Sequence, residues 1–227
     1  MNQTVHHLEL PLAERTARDL PLGAMVTVSG LVFTGRSRFH IRAIEQDLVP
    51  PIDFSTVNCF FHVGPVMRKA ATGWEIVSIE PTSSIRFERY GGDVVRKLGL
   101  RTLIGKTTMG PRTAEALKEV GGVHLTKIGI CGNQLASQVA KVHGVHFLEE
   151  LGKTEATWVL EVRRFGPFFV DIDARGNNYF ETLDADAQAR LASIQRELEI
   201  PEHFTFTEVT PQVSRGNANA ETGGRHA

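Results

Sequence analysis

Thr82, Arg86 and Lys106 are residues of this chain whose types and spacing suggest chemistry. Thr82 and Arg86 stand four apart in Glu80-Pro81-Thr82-Ser83-Ser84-Ile85-Arg86. A helix beginning after Pro81 would put both on one face of its first turn, where free backbone N–H groups favour an anion. Lys106 arrives from an apolar strand that ends in Gly105-Lys106-Thr107-Thr108-Met109. A hydroxyl, a guanidinium, an ammonium and a helix N-terminus would then converge on something small and negative. Plain helix capping is the commoner use of a Thr-Ser-Ser run. The reciprocal capping acid is missing, however, because three residues beyond Thr82, Ser83 and Ser84 stand Ile85, Arg86 and Phe87. An arginine in a first turn also opposes the helix dipole, so Arg86 is misplaced for stability alone. On these residues by themselves an anion site and a plain cap both stay open.

Gly105-Lys106-Thr107 invites a nucleotide-binding reading, which fails on spacing. A phosphate-binding loop needs four residues between its first glycine and Gly-Lys-Ser/Thr, whereas five, Leu100 to Ile104, follow Gly99 and read as a strand. What survives is a lysine at the C-terminal end of a parallel strand, where ligands sit in open α/β sheets. Arg36 follows the strand end Thr34-Gly35 and occupies the same kind of position, with His40 four residues on. The remaining histidines, His143 and His146 among them, read as surface or core residues rather than metal ligands.

The elements that must position these residues follow from periodicity and punctuation. Residues 1–20 are mixed and polar, with Pro11 and Pro21 breaking any long helix, and are expected on the surface or against a partner. Ala24 to Phe33 alternates and is rich in β-branched residues, which predicts a strand. A helix is compatible with Arg36 to Ile44, and strands fit Asn58 to Val63 and Trp74 to Ile79. Ile85 to Leu98 reads as a helix interrupted by Gly91-Gly92 and capped by Gly99. Then come a strand over Leu100 to Ile104, a helix over Thr113 to Val120, a strand over Val123 to Ile130, a helix over Asn133 to His143 and a short strand over Val145 to Leu148. That alternation implies an α/β fold with a parallel sheet. Thr157 to Arg164 and Phe168 to Ile172 flank Gly166-Pro167 and look antiparallel, which predicts a second sheet of different character. Asp184 to Leu198 has an amphipathic pattern, and the tail has almost nothing to bury and is expected to be disordered.

With 227 residues the chain can bury a full core. A net charge of −1 with interleaved signs gives no basic stripe, so nucleic acid and anionic membranes are unlike its partners. No run of eighteen apolar residues is present and the N-terminus does not read as a signal peptide, which predicts a cytoplasmic protein. Cys59 and Cys131 are far apart and lack CxxC spacing, which excludes a disulfide framework and a cysteine zinc site. Both are expected to be small buried apolar residues. Two thiols also cannot hold an iron–sulfur cluster alone.

Several ordered motifs together resemble a known family. They are Ser29 to His40 (SGLVFTGRSRFH), Phe61-His62-Val63-Gly64-Pro65, the Glu80 to Arg86 segment, Gly105-Lys106 with Met109-Gly110-Pro111, and Phe165-Gly166-Pro167 followed by Asp173 to Asn178 (DARGNN). The set resembles the β subunit, or C-terminal domain, of iron–sulfur hydro-lyases of the class I fumarase and L(+)-tartrate dehydratase type. The Phe-His-x-Gly-Pro and Gly-Lys-x-x-Met-Gly-Pro forms look nearer the tartrate dehydratase branch.

The resemblance implies an α/β, three-layer swivelling β/β/α domain with a central mostly parallel sheet and a second antiparallel sheet. It would span residues 21–207, between an N-terminal extension (1–20) and a disordered tail (208–227). It also implies a [4Fe–4S] cluster carried by a separate α subunit, no metal on this chain, a hetero-oligomer, and a four-carbon dicarboxylate substrate that gains or loses water. Carried over position by position, Arg36, Arg86 and Lys106 are implied substrate-carboxylate ligands and Thr82 the proton-transfer residue. Three positions depart from the family pattern: Glu80 stands where glycine is usual, Ser37 where aspartate is usual and Thr107 where glycine is usual. They leave two alternatives open, a diverged paralogue acting on another 2-hydroxy acid and a non-catalytic anion-binding or assembly subunit.

Overall fold

The apolar runs between residues 5 and 172 become strands, and the polar-faced stretches between them become helices. The structure, a computed structural model, describes residues 4–127, 129, 131–201 and 204. In chain order the elements are β1 (Val5–Glu9), α1 (Glu14–Asp19), β2 (Met25–Gly35), α2 (Ser37–Glu45), β3 (Cys59–His62), β4 (Val66–Ala70), β5 (Gly73–Ser78), a 3-10 turn (Ser84–Phe87) and α3 (Glu88–Leu98). They continue with β6 (Thr102–Gly105), α4 (Pro111–Val120), β7 (Val123–Thr126), α5 (Gly132–Ser137), β8 (Val139–His146), α6 (Leu148–Glu155), β9 (Thr157–Ile172) and α7 (Tyr179–Glu197). The chain divides into two units, Met1–Asp184 and Ala185–Ala227.

In the first unit seven strands form one sheet in the order β1-β2-β3-β6-β7-β9-β8, and β4 and β5 form a separate two-stranded antiparallel sheet. The pairs β1–β2, β2–β3, β3–β6 and β6–β7 are parallel. β9 runs antiparallel to β7, β8 and β2. Because β9 pairs with both β2 and β7, the pairings β2–β3–β6–β7–β9 return on themselves.

Strands β3, β6 and β7 are buried at every position, as expected of parallel strands covered on both faces, whereas β2 alternates over its first residues. Successive residues point to opposite sides. Val32, Phe61, Ile104 and Leu125 join one core with Trp158, Phe165 and Phe168 of β9, while Phe33, Phe60 and Leu103 join a second core under α2, α3 and α4. The result is a layered α/β unit with a mostly parallel central sheet. Phe33 stacks on Phe60 at 4.6 Å between ring centroids, and each such fully buried side chain contributes about 1.5–3 kcal/mol.

Several expectations are corrected. Residues 5–20 are mostly exposed, as expected, but they are built into the fold: β1 extends the sheet, and Leu8, Leu12, Ala17 and Leu20 are core residues. Gly91 and Gly92 do not interrupt a helix. They are buried inside α3, where a side chain at Gly91 would strike Thr113 and Met109 and one at Gly92 would come within 2.7 Å of Arg112 O. Asn133 to His143 is not one helix, because α5 ends at Ser137 and Val139–His146 pairs with β9. The β-branched Val139, Val142 and Val145 prefer that pleated partner, a tertiary effect that local pattern cannot show. The second sheet comes from Val66–Ser78, whereas the two runs flanking Gly166-Pro167 form a single 16-residue strand within the main sheet. The run expected over Val123 to Ile130 ends as a strand at Thr126, and Ile128 and Ile130 lie outside the described residues.

Helix α7 starts five residues earlier than the amphipathic pattern suggests and contains no buried residue. The expected disordered tail, residues 208–227, lies outside the described residues. Among the described residues no helix is long and apolar enough to cross a membrane.

Candidate active site

Parallel strands β2, β3, β6 and β7 all end on one edge of the sheet, at Gly35, His62, Gly105 and Thr126. The residues that follow are Arg36, Val63, Lys106 and Lys127. The Pro81–Ser84 segment lies along that edge as a strand fragment. Val63 bridges Pro81 and Ser83 bridges Lys106. The N–H of Thr82 donates to His62 O at 2.7 Å, the N–H of Ser84 to Lys106 O at 2.7 Å, and the N–H of Lys106 to Thr82 O at 3.2 Å. Thr82 and Lys106 are therefore main-chain neighbours.

This corrects the expected helix start after Pro81. Helical geometry begins only at Ser84, as a 3-10 turn, and α3 proper begins at Glu88. The N–H groups of Thr82 and Ser84 are spent on the sheet and are not free for an anion. The N-terminus of α4 is also taken. The Glu88 carboxylate accepts from Gly110 N at 2.7 Å, Arg112 N at 2.9 Å, and Thr113 N and Oγ1 at 3.2 and 2.7 Å.

His40 and Phe87 join the backbone next to Arg36 with the 3-10 turn that carries Arg86. His40, one turn after Arg36, accepts no solvent contact; its N–H and its Nδ1–H donate to Arg36 O at 3.3 and 2.9 Å. Its ring stacks on Phe87, next to Arg86, with centroids 4.5 Å apart. Burial lowers the His40 pKa to about 4, so it serves as a neutral packing group. Arg36 is partly buried, meets Glu155 at 3.8 Å, and has its Cδ where a side chain on Gly64 would fall. Arg86 is exposed and Lys106 partly exposed, and among the described residues neither forms an ion pair. Lys106 stands beside Thr82 through the main-chain pairing, and an unpaired cation favours an anionic ligand.

The loop after Lys106 is braced from the Asp173–Asn178 motif. Asp173 accepts from Arg175 N, Asn177 N and Asn177 Nδ2, and the neighbouring Asn178 donates to Thr108 Oγ1 at 3.0 Å and Met109 O at 3.1 Å. Thr107 stands at φ +63°, the left-handed region that a β-branched residue adopts only under strain. Glu80 is exposed, and its Cβ lies 3.7 Å from where a side chain on Gly132 would begin. Ser37 opens α2, directly after Arg36.

Beneath this rim lies a polar floor absent from the sequence reading. His62 Nδ1 and Ser84 Oγ are 2.9 Å apart, His124 Nε2 and Ser84 Oγ 3.1 Å, and His124 Nδ1 and Asp171 Oδ1 2.6 Å. Ser84, His124 and Asp171 are wholly buried. The His62 pKa is pushed well below the ordinary imidazole range by burial, with His40 and His124 adding to the effect. Lys127, at the end of β7, was also missed; it is nearly buried, donates to Pro167 O at 3.1 Å, and has its pKa lowered by desolvation. A polar residue inside an otherwise apolar strand, as His124 is in Val123-His124-Leu125, is the one sequence signal that could have marked the floor.

A cleft of about 370 Å³ lies between α2 and α6, lined by Arg38, Arg42, Glu150 and Glu155, the last of which also meets Arg36. Cys59 is buried, which raises its thiol pKa, but Cys131 is exposed at the start of α5, against the expectation of burial. Two cysteines so different do not form a ligand set for an iron–sulfur cluster. Among the described residues no three His, Cys, Asp or Glu side chains group as a metal site.

Comparison with known proteins matches residues 2–183 to the model of the family described as Fumarase C-terminus. A protein described as "Putative fumarate hydratase class I", from Geobacillus stearothermophilus, is 37% identical over 189 residues, which are 83% of this chain and 36% of that protein. This chain thus spans about a third of that relative's length. The L(+)-tartrate dehydratase subunit beta of Escherichia coli (strain K12) is 34% identical over 171 residues, 75% of this chain and 84% of that subunit. The "Putative L(+)-tartrate dehydratase subunit beta" of Methanocaldococcus jannaschii is 32% identical over 183 residues, 79% of this chain and 93% of the relative.

Proposed function

Because the chain belongs to the Fumarase C-terminus family, we propose that it is the β-type part of a hydro-lyase. The reaction is reversible addition or removal of water on a four-carbon dicarboxylate, fumarate or tartrate by analogy with the named relatives. The observation that carries this reading is the rim: Thr82 and Lys106 paired through the main chain at a sheet edge, with the Lys106 and Arg86 charges unneutralised.

Removing water from a 2-hydroxy acid requires loss of a proton from the carbon next to the one that bears the hydroxyl. Negative charge then builds on that carbon and spreads into its carboxylate. Cations fixed at that carboxylate stabilise the transition state more than the ground state, since the charge there is larger in the transition state. In this reading Lys106, Arg86 and Arg36 hold carboxylate oxygens, and Thr82 Oγ1 exchanges the carbon-bound proton. A free threonine hydroxyl is a very weak base, so the adjacent cations must lower its pKa as they bind substrate. Leaving of hydroxide calls for a Lewis acid, which a [4Fe–4S] cluster supplies when present. The cysteines here do not fit such a cluster, and we assign it to a separate α subunit that makes the active enzyme a hetero-oligomer.

The test is anaerobic co-expression with a cluster-bearing partner, followed by assay of fumarate hydration and tartrate dehydration. Turnover of either substrate is expected. A complex with a fully loaded cluster that turns over neither would overturn the substrate assignment. Glu80, a carboxylate next to the rim, favours a second reading in which the chain binds an anion without chemistry. Binding of a dicarboxylate by that complex without turnover would support it.

A further inference from the structure

Asp171, His124, Ser84 and His62 come from β9, β7, the 3-10 turn and β3, and their hydrogen bonds form one series beneath the rim. The series has a direction. The Asp171 oxygen accepts, so His124 Nδ1 carries the proton. His124 Nε2 then accepts the Ser84 hydroxyl proton, and the Ser84 oxygen accepts from His62 Nδ1–H. His62 Nε2 is left as a bare nitrogen, and it has no partner among the described residues. The opposite direction needs a second proton on His124 and leaves an N–H stranded at His62 Nε2, and buried orphan N–H groups are rare.

Ser84 is where this series meets the rim. Its hydroxyl lies between the two imidazoles, and its N–H holds Lys106 O, whose own N–H holds Thr82 O. Gly105 is required at this crossing because a Cβ there would overlap Ser84 Oγ. The hydroxyl is thereby fixed from below by two rings and from the side by β6.

We propose that Asp171 is a positioning residue: by setting the tautomer of His124 it directs the whole series, and through Ser84 it fixes where Thr82 and Lys106 stand over the sheet. The proposal rests on the hydro-lyase reading for its catalytic consequence, though not for the hydrogen-bond direction itself. Lysine and arginine side chains are long and can follow a substrate carboxylate. The Thr82 hydroxyl is short, so a displaced segment affects proton transfer more than binding. A displacement of about 1 Å can cost about 100-fold in rate.

The direction is measured on the full chain alone by ¹⁵N NMR of the histidine rings. His124 and His62 are both expected as Nδ1–H tautomers; finding either protonated only at Nε2 overturns the proposal. In the complex with the cluster-bearing subunit, Asp171→Asn and Ser84→Ala are each expected to lower kcat about 100-fold with KM changed less than about threefold, and the double variant to be no worse than either. Multiplicative losses in the double variant, or a kcat near wild type in Ser84→Ala, overturn it. If Asp171→Asn does not fold, Ser84→Ala carries the kinetic test, since it removes one atom and keeps the backbone N–H. If the wild-type complex shows no turnover, the hydro-lyase reading fails, and the ring tautomers together with the Thr82 and Lys106 amide shifts in Ser84→Ala still decide the positioning claim. Unmoved amides would then refute it.

Discussion

The rim that carries Thr82 and the floor that carries Ser84 are two residues apart in sequence and differ in almost every physical respect. The rim is half open to solvent, and Arg86 and Lys106 have no ion-pair partner among the described residues. The floor is buried and its side chains bond to one another within 3.1 Å, with only His62 Nε2 and Asp171 Oδ2 left unpartnered among its polar atoms. One region keeps its charges open to solvent, and the other spends nearly all of its polar atoms on internal bonds. Charges left unpaired at a surface cost little stability because water solvates them. Polar groups in a core are tolerated only when they bond to each other. Removing a rim group should therefore damage activity and spare the fold, and disturbing the floor should damage the fold, activity or both.

The sharpest way to break that comparison is to truncate the rim. Lys106→Ala and Arg86→Ala are each expected to lower kcat/KM by about 100- to 1,000-fold, the cost of one lost charge-stabilising contact. Thermal midpoints should move by no more than about 2 °C, and association with the partner should persist. Steady-state kinetics beside thermal melts check this, and near-normal kinetics in both variants would place the ligand elsewhere.

Acid addresses the other region. Burial lowers the His40 pKa to about 4 from an ordinary 6.5, so between those values the unfolded chain binds a proton that the folded chain does not. Stability from this residue is complete above about pH 6.5 and declines as pH falls toward 4, by about 3 kcal/mol in all. The lowered His62 pKa acts with the same sign. Urea unfolding at pH 7 and pH 4.5 should show the loss, and His40→Phe, which keeps the stacking on Phe87, should reduce it. An unchanged acid slope in that variant would remove His40 from the account.

A smaller effect separates strain from chemistry at the rim itself. Thr107→Gly relieves the left-handed backbone but frees the unfolded chain, for a net gain of about 0.5–1 kcal/mol in urea titrations. A loss of stability would mean that the Thr107 side chain makes up for its strain. Smallest of all, Glu80→Gln should lower KM for a dicarboxylate about twofold at low ionic strength, with the difference vanishing in high salt. A KM unchanged at every ionic strength would show that Glu80 is too remote to matter.

The parts of the rim that local pattern reveals are those in which one strand ends beside a polar residue. Lys106 after Leu103-Ile104-Gly105 and Arg36 after Phe33-Thr34-Gly35 could be read directly, because each strand and its terminal cation are contiguous. Thr82 was visible for a reason that did not survive: the segment is a strand fragment whose bonds go to His62 and Lys106, and no local signal announces pairing across such gaps. The floor was hidden for the same reason. His124 and Asp171 lie 47 residues apart in the chain and meet only because β7 pairs with β9 across a register shift. β8 carries a helix-compatible local pattern and becomes a strand because it pairs with the edge of β9.

Strand β9 has a further consequence for how the protein is made. It closes the ring of pairings through partners as distant as Met25↔Phe169, and it is the last strand among the described residues. During synthesis β2, β3, β6 and β7 leave the ribosome before their closing partner exists, with Phe61, Ile104 and Leu125 lacking the cover of Trp158, Phe165 and Phe168. At about 5–20 residues per second, that interval lasts many seconds. The nascent chain should therefore depend on chaperones until Ile172 has emerged, and synonymous codons that slow translation before residue 157 should reduce soluble yield while leaving the purified protein unchanged.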